Sequence, residues 1–300
     1  MDLIVIAPKN ILNESMWKDI YNNYKNITFL NANELMSFNF NLSSEEKVIL
    51  ADPDWVDWNF PNEILRKTNK LKAVCLTTTT ASYIDEEFLK NQKIQLLTVP
   101  KYSTDSVAEY LVFFMMCLAK KLPLQLKNNL KQDFVNDLLQ IELTGKTVGV
   151  VGFGNIGKRV CEITKGMGMN PIYYNRSPKQ SEFKSVSLEE LFKVSDVIIV
   201  TLANNSETRK LITDEMLLSM KNTAIFISGT GTALHSDKVI REMLEANKLF
   251  GFGAEIAGKS HNDYPGNVML TGEYAWFTYE AFKRREEIVY QNLLTIKTQK

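Results

Sequence analysis

Residues 144–160 read Thr-Gly-Lys-Thr-Val-Gly-Val-Val-Gly-Phe-Gly-Asn-Ile-Gly-Lys-Arg-Val, in which a short apolar strand runs into Gly152-x-Gly154-x-x-Gly157 and then into a helix. Few folds use that succession. The first glycine permits a tight turn, the second lets backbone approach a pyrophosphate, and the third lets the helix pack closely on its strand. The helix N-terminus, with unpaired N–H groups and a partial positive charge, then faces the phosphates. A structural turn would need only one of these features. Strand, spacing and helix together are read as a dinucleotide-binding site.

The rest of the chain repeats the same alternation. Leu3–Ala7, Val48–Ala51, Ala73–Thr77 and Ile94–Val99 are short β-rich runs, separated by helical stretches near Glu14–Tyr24, Pro61–Lys67 and Asp85–Lys90. After Gly145 the rhythm restarts, with strands near 147–151, 171–174, 196–202, 223–228, 249–254 and 267–271. Strands alternating with helices build parallel sheets covered on both faces. The expected fold class is α/β with two doubly wound units, which suits a chain of 300 residues. Between them, Thr104–Lys121 is capped by Ser103 or Thr104 and is apolar on nearly every face, through Val107, Leu111, Phe113, Phe114, Met115, Met116 and Leu118. A helix apolar all round has to be buried on all sides, either as a core helix between domains or as a dimer interface.

Charge narrows the partners. Lys plus Arg and Asp plus Glu are equal at 35 each, so no net field draws in nucleic acid or an anionic membrane. Cys75, Cys117 and Cys161 are odd in number, far apart and set among apolar residues, the pattern of buried free thiols in a reducing compartment rather than of disulfides or a metal site. The start of the chain has no basic n-region, and its apolar run Leu3–Ala7 is too short for a signal peptide. The longest apolar run, Tyr110–Ala119, is about half of a membrane span. The expectation is a cytoplasmic protein with no metal, no nucleic-acid partner and no membrane anchor.

The nucleotide is read from the second strand of the glycine unit. In NAD sites an acid at the end of that strand binds the ribose 2′-hydroxyl, about 20 residues after the glycines begin. Here Pro171–Tyr174 ends in Asn175-Arg176-Ser177, with no acid. Arg176 suits a 2′-phosphate through two parallel charge-assisted bonds, with Ser177 and Lys179 assisting. NADP is the preferred cofactor and NAD the alternative.

Further motifs follow in a fixed order. Val99-Pro-Lys-Tyr-Ser-Thr-Asp-Ser-Val-Ala-Glu109 precedes the glycine loop. Ser195-Asp-Val-Ile-Ile-Val-Thr-Leu202 with Glu207-Thr-Arg209, Met220-Lys-Asn-Thr-Ala-Ile-Phe-Ile-Ser228 and Asn267-Val-Met-Leu-Thr271 come after it. From about Leu71 to Asn292 the chain resembles the D-isomer-specific 2-hydroxyacid dehydrogenases, which include glyoxylate, hydroxypyruvate and phosphoglycerate dehydrogenases. The resemblance implies a flavodoxin-like substrate domain, 1–98 plus 276–300, a Rossmann domain, 99–275, a cleft between them, and a homodimer through helix 104–121. It implies cofactor contacts at Thr104, Gly152, Gly154, Asn155, Ile156, Gly157, Asn175, Arg176, Ser177, Leu202, Ala203, Ser228, Gly229, Thr230 and Glu255. Glu255 stands for the acid that binds the nicotinamide amide, one methylene longer than the usual aspartate. Substrate contacts are implied at Thr79, Thr80 and Ala81.

The resemblance also implies a catalytic trio, and this chain departs from it at each position. In that family an arginine holds the substrate's carboxylate and carbonyl, a histidine exchanges a proton with the carbonyl oxygen, and a glutamate keeps the histidine protonated. Where Asn-x-x-Arg-Gly is expected the chain reads Ser228-Gly-Thr-Gly231-Thr232, and where Thr-Pro-His is expected it reads Thr271-Gly272-Glu273. The loop that should carry the glutamate, from Glu255 to Asn267, is shorter than usual, and the expected place falls near Ser260. The Gly-x-Asp turn that meets the substrate carboxylate appears as Thr80-Ala81-Ser82, where a side chain opposes the φ > 0 geometry of glycine.

Three residues are candidates to substitute. Glu273 occupies the acid's position beside Tyr274, Trp276 and Phe277; burial among them would raise its pKa from about 4.3 by two or three units and make it a proton donor, and otherwise it is a hydrogen-bonded structural carboxylate. His261 lies in the shortened loop, either near the expected glutamate or exposed to solvent. His235 either faces the cleft or is a helix-cap or surface histidine. Losing a positioned acid costs about 10²–10⁴ in rate. An ionised Glu273 within about 4 Å of a substrate carboxylate adds roughly 4 kcal/mol of repulsion at an effective dielectric of 20. Two readings stand: an NADP(H)-binding oxidoreductase of nominal 2-oxo acid/2-hydroxy acid hydride transfer, weak or changed in substrate, whose substrate is neutral or cationic at that end or whose Glu273 is protonated; or an NADP(H)-binding sensor or protein partner that turns nothing over.

Overall fold

Two sets of parallel strands account for the alternation. A computed structural model describes all residues except 133, 135–137, 178, 210, 261–262 and 299–300. The chain divides into one unit of Met1–Tyr102 with Tyr279–Lys300 and a second of Ser103–Thr278. The changeovers follow Tyr102 and Thr278, a few residues beyond the boundaries 98/99 and 275/276 read from the sequence.

The first unit runs β1 (Asp2–Ile6), α1 (Glu14–Asn23), β2 (Asn26–Phe29), β3 (Lys47–Ala51), α2 (Asn62–Lys67), β4 (Leu71–Leu76), α3 (Glu86–Asn91) and β5 (Gln95–Leu97). Its sheet has the order β2-β1-β3-β4-β5, with every pair parallel. β1 and β3 are buried at every position, which is why they read as unbroken apolar runs instead of alternating ones. The last helix of the chain, Tyr279–Thr298, belongs to this unit. The Tyr24 hydroxyl donates to the Leu293 carbonyl at 2.8 Å and Asn292 Nδ2 to the Thr98 carbonyl at 3.0 Å.

The second unit opens with α4 (Thr104–Ala119) and α5 (Leu122–Lys127). Then come β6 (Thr147–Val151), α6 (Asn155–Gly166), β7 (Asn170–Tyr174), β8 (Lys184–Ser185), α7 (Leu188–Val194) and β9 (Val197–Val200). α8 (Asp214–Leu218), β10 (Ile225–Ser228), α9 (Asp237–Glu245), β11 (Gly251–Glu255) and β12 (Val268–Thr271) complete it, and the C-terminal helix is α10. The sheet order is β12-β11-β10-β9-β6-β7-β8, again parallel. From β6 the chain builds outward to β8, then returns to β9 and builds the other way. The strand order therefore reverses between β6 and β9, the place where open α/β sheets bind ligands outside the carboxyl ends of their strands.

α4 corrects one expectation. It is not buried all round: Asp105, Glu109, Phe113 and Met116 form an exposed stripe, with Phe113 45% and Met116 38% accessible. The opposite face, through Leu111, Phe114 and Leu118, lies directly on the sheet. Glycines make the fit, since a β-carbon at Gly253 would stand 3.3 Å from Phe114 and one at Gly229 3.4 Å from Leu111. Cys75, Cys117 and Cys161 are buried free thiols. Among the described residues no helix is long and apolar enough to cross a membrane, and no group of three or more His, Cys, Asp or Glu is placed to hold a metal ion.

Candidate functional site

The carboxyl ends of β7, β6, β9, β10 and β11 carry the predicted cofactor residues of the second unit side by side, because Tyr174, Val151, Val200, Ser228 and Ala254 are successive register partners. Each glycine of the loop has its own steric reason. Gly152 has φ +99°, and a β-carbon there would lie 2.9 Å from Leu202 Cδ2. At Gly157 a β-carbon would stand 1.9 Å from the Gly152 carbonyl oxygen, so α6 can rest on the loop only if this residue has no side chain. At Gly154 nothing lies within 4 Å, and the residue is exposed along with Asn155 at the start of α6. Ile156 is half-buried against the core. The first and third glycines are required by protein, and the second leaves open space in front of a helix N-terminus.

Asn175 fixes the next loop. Its Oδ1 accepts from the Phe153 N–H at 3.0 Å and its Nδ2 donates to the Ser177 carbonyl at 2.8 Å. The side chain thus ties the glycine loop to the Arg176 turn. Arg176 and Ser177 are exposed, and the Arg176 guanidinium is paired with Glu207. Beyond β9, half-buried Leu202 supports Gly152, and exposed Ala203 begins a turn. Thr208 Oγ1 donates to the Ala203 carbonyl at 2.6 Å, and the Glu207 N–H donates to Asn205 Oδ1 at 3.0 Å. The sequence offered no sign that Glu207 would meet Arg176.

At the end of β10, buried polar groups are left over. The hydroxyl oxygens of Ser228 and Thr230 and Nδ1 of His235 are buried with no hydrogen-bond partner among the described residues. Native interiors rarely leave such atoms unsatisfied. Two orphan hydroxyls beside Gly229, together with the open space at Gly154, fit a bound dinucleotide whose polar end reaches β10. Thr104 opens α4 in the same unit.

His235 is neither a surface cap nor an open-faced base. It is 8% accessible, with its ring edge-on to Phe226 and Phe252, and Nε2 lies 3.0 Å from the Gly231 carbonyl. That contact makes Nε2 the protonated nitrogen. Burial pushes the imidazole pKa down, so it is held neutral. Gly231 itself has φ +59°, and a β-carbon there would lie 2.9 Å from the Glu255 carbonyl oxygen. The backbone at position 231 is therefore shaped for glycine.

Two carboxylates stand close by. Glu255 ends β11, and its Oε1 accepts from the Ala275 N–H at 2.7 Å, which draws the segment after β12 toward it. Burial raises its pKa, and the charge of Glu273 adds to the rise. Glu273 itself is exposed, and so are Tyr274 (61%) and Phe277 (56%). The expected burial among aromatics does not occur: on the irregular segment after Gly272 it is Ala275 that is buried, and Tyr274 and Phe277 face outward with Glu273. The Tyr110 hydroxyl donates to Thr271 Oγ1 at 3.0 Å and secures the start of this segment to α4. Ser260 is exposed, with its N–H on Asp263 Oδ2 at 2.8 Å. His261 lies outside the described residues.

In the first unit Thr79 and Thr80 are exposed and Ala81 is buried, just beyond the carboxyl end of β4. Thr80 avoids the left-handed region that a glycine turn uses. The Thr79 hydroxyl donates to the Val99 carbonyl at 2.7 Å and that of Thr78 to the Thr80 carbonyl at 2.9 Å. Sequence reasoning missed Asp52 at the end of β3. Its Oδ2 accepts from the Thr77 hydroxyl at 2.7 Å and lies 3.9 Å from Arg285 Nη1. Burial raises its pKa despite that guanidinium. Asp52 was legible as the acid ending a fully apolar run, whereas Arg285 arrives from the far end of the chain.

Residues 112–261 match the family model described as D-isomer specific 2-hydroxyacid dehydrogenase, NAD binding domain. The chain belongs to the D-isomer-specific 2-hydroxyacid dehydrogenase family. Among similar proteins is a 2-hydroxyacid dehydrogenase homolog of Haemophilus influenzae, 27% identical over 92% of this chain and 93% of that one. A glyoxylate reductase structure from Paecilomyes thermophila superposes with a TM-score of 0.85 at 22% identity, covering 100% of this chain and 96% of that one. An acyclic imino acid reductase, solved in complex with NADPH and D-Arg, superposes with a TM-score of 0.83 at 25% identity, covering 98% and 96%. Within the 2-hydroxyacid dehydrogenase family this chain has the two parallel sheets and the glycine loop of the nucleotide-binding sheet.

Proposed function

We propose that this chain is an NADP(H)-dependent reductase that acts on a protonated imine in place of a 2-oxo acid. The observation that carries the reading is the environment of Gly231. Its left-handed backbone and its approach to the Glu255 carbonyl oppose any side chain at this position, and the carboxylates of Glu255 and Glu273 interact with each other at the end of the neighbouring strand. Such a site disfavours an anion and favours a cation. The likeness to an imino acid reductase solved with NADPH and D-Arg supports the same reading.

The missing acid follows from the same chemistry. A carbonyl oxygen that receives a hydride on its carbon must gain a proton, so a 2-oxo acid reductase needs a general acid. An iminium nitrogen already carries its proton. Reduction forms one C–H bond, the C=N π pair becomes the nitrogen lone pair, and a neutral amine results. NADP(H), when bound, supplies the hydride. Gly152, Gly154 and Gly157 with the N-terminus of α6 would hold the pyrophosphate, Arg176 and Ser177 the 2′-phosphate, and Ser228 and Thr230 the polar end. The carboxylates of Glu255 and Glu273 keep an imine protonated near neutrality by opposing its loss of charge. A homodimer through the exposed stripe of α4, with Phe113 and Met116 at its centre, is proposed as the assembly.

The test measures NADPH oxidation with a preformed cyclic imine and, separately, with glyoxylate and hydroxypyruvate. The imine is expected to be reduced at least about 10²-fold faster, and Glu273→Gln is expected to move the pH profile of imine reduction. Glyoxylate reduction at ordinary dehydrogenase rates, unchanged in Glu273→Gln, would sink the reading. Tight NADPH binding with no oxidation by any of these compounds would favour the binding-only sensor, a reading that the exposure of Glu273 also suits.

A further inference from the structure

Arg176 and Glu207 lie on opposite sides of the glycine loop. Arg176 follows β7 and Glu207 follows β9, the two strands that flank β6. Their ion pair therefore reaches across the carboxyl end of β6, at the point where the strand order reverses and where the adenosine side of a dinucleotide belongs. Both partners are set in place locally. Asn175 holds the Arg176 turn to the Phe153 N–H and the Ser177 carbonyl. On the other side, Asn205 Oδ1 accepts from the N–H groups of Glu207 and Thr208 at 3.0 and 3.2 Å, and Thr208 Oγ1 closes the turn on the Ala203 carbonyl.

We propose that Arg176 and Glu207 form a clasp over the nucleotide crevice, which a 2′-phosphate opens by displacing Glu207, so that Glu207 helps decide between NADP(H) and NAD(H). The inference rests on the NADP(H) reading above. A phosphate dianion has more charge and more acceptor atoms than one carboxylate, and it takes the guanidinium in a bidentate pair. A neutral 2′-hydroxyl gives Arg176 no comparable partner and leaves the carboxylate where it is. The cost of opening is small because both side chains are solvent-exposed, 73% for Arg176 and 65% for Glu207. Glu207 thus acts as an internal competitor that lowers NADP(H) affinity without abolishing it, and its side chain swings off Arg176 when the phosphate enters.

Fluorescence titration of the full chain with NADPH and NADH tests the clasp, using Glu207→Gln, Arg176→Ala and the double variant. Glu207→Gln is expected to tighten NADPH about two- to fivefold, the range for one exposed ion pair, and to leave NADH unchanged. Arg176→Ala should weaken NADPH about tenfold or more, and in that background Glu207→Gln should have no effect. An equal change for both nucleotides, or an effect that persists without Arg176, overturns the clasp while leaving the NADP(H) reading intact. Failure of the wild-type chain to bind either nucleotide overturns both.

Discussion

The two halves of the nucleotide sheet's carboxyl edge are built on different principles. Around β6 and β7 the geometry is backbone geometry: Gly152 against Leu202, Gly157 against the Gly152 carbonyl, and the Phe153 N–H on Asn175. Around β10, β11 and β12 it depends on the left-handed turn at Gly231 and on the side chains of Glu255 and Glu273. A backbone contact at 1.9 Å admits no substitute. A side chain on an exposed segment, such as Glu273, can be replaced without disturbing a single strand, so the two halves differ in how much change they tolerate.

The sharpest way to break this contrast is Gly157→Ala. One added methyl must push α6 off the loop, and a loss of about 3 kcal/mol or more is expected from denaturant unfolding, together with loss of NADPH binding. A stable variant that still binds would mean the backbone half is as adaptable as the other. Gly231→Arg is next. With φ at +59° and a β-carbon 2.9 Å from the Glu255 carbonyl oxygen, the side chain should cost about 2 kcal/mol or more and bring no 2-oxo acid reduction. Reduction gained without instability would show that only the side chain, and not the turn, had changed.

The smallest effect concerns His235. Its folded pKa is lowered by burial from 6.5, so the unfolded chain takes up its proton first as pH falls. The group therefore supports the fold above about pH 6.5 and loses that contribution as pH drops toward its folded value. Glu255 has the opposite sign, since its raised pKa favours the fold at low pH and stops doing so as pH climbs above 4.5 through its folded value. His235→Gln keeps a donor for the Gly231 carbonyl and removes the titration. Thermal midpoints between about pH 7.5 and 5.5 should vary less in this variant than in the wild type, and an unchanged slope would place the pH sensitivity elsewhere.

What the sequence made legible was whatever depends on local pattern. The apolar runs at Val48–Ala51 and 147–151 and the glycine spacing needed no knowledge of distant residues. β2 and β8 were not legible. Asn26-Ile-Thr-Phe is an edge strand with no fully buried position, and Lys184–Ser185 is two exposed residues, so both owe their conformation to a neighbour and not to propensity. The same holds in the site. Glycine at 231 was visible in the sequence, but its left-handed turn was not. The aromatic run after Glu273 suggested a buried acid because composition says nothing about which way a loop faces. Glu207 and Arg285 find their partners only through the fold.

The Tyr24 hydroxyl on the Leu293 carbonyl has a consequence for synthesis. A ribosome delivers residues 103–278 in full before it delivers α10. The second unit therefore has all its strands while the first still waits for the helix that receives Tyr24 and reaches Thr98 through Asn292. The segment made first is completed last, and the nucleotide-binding unit is free to reach its native state while the N-terminal sheet still lacks one of its covering helices.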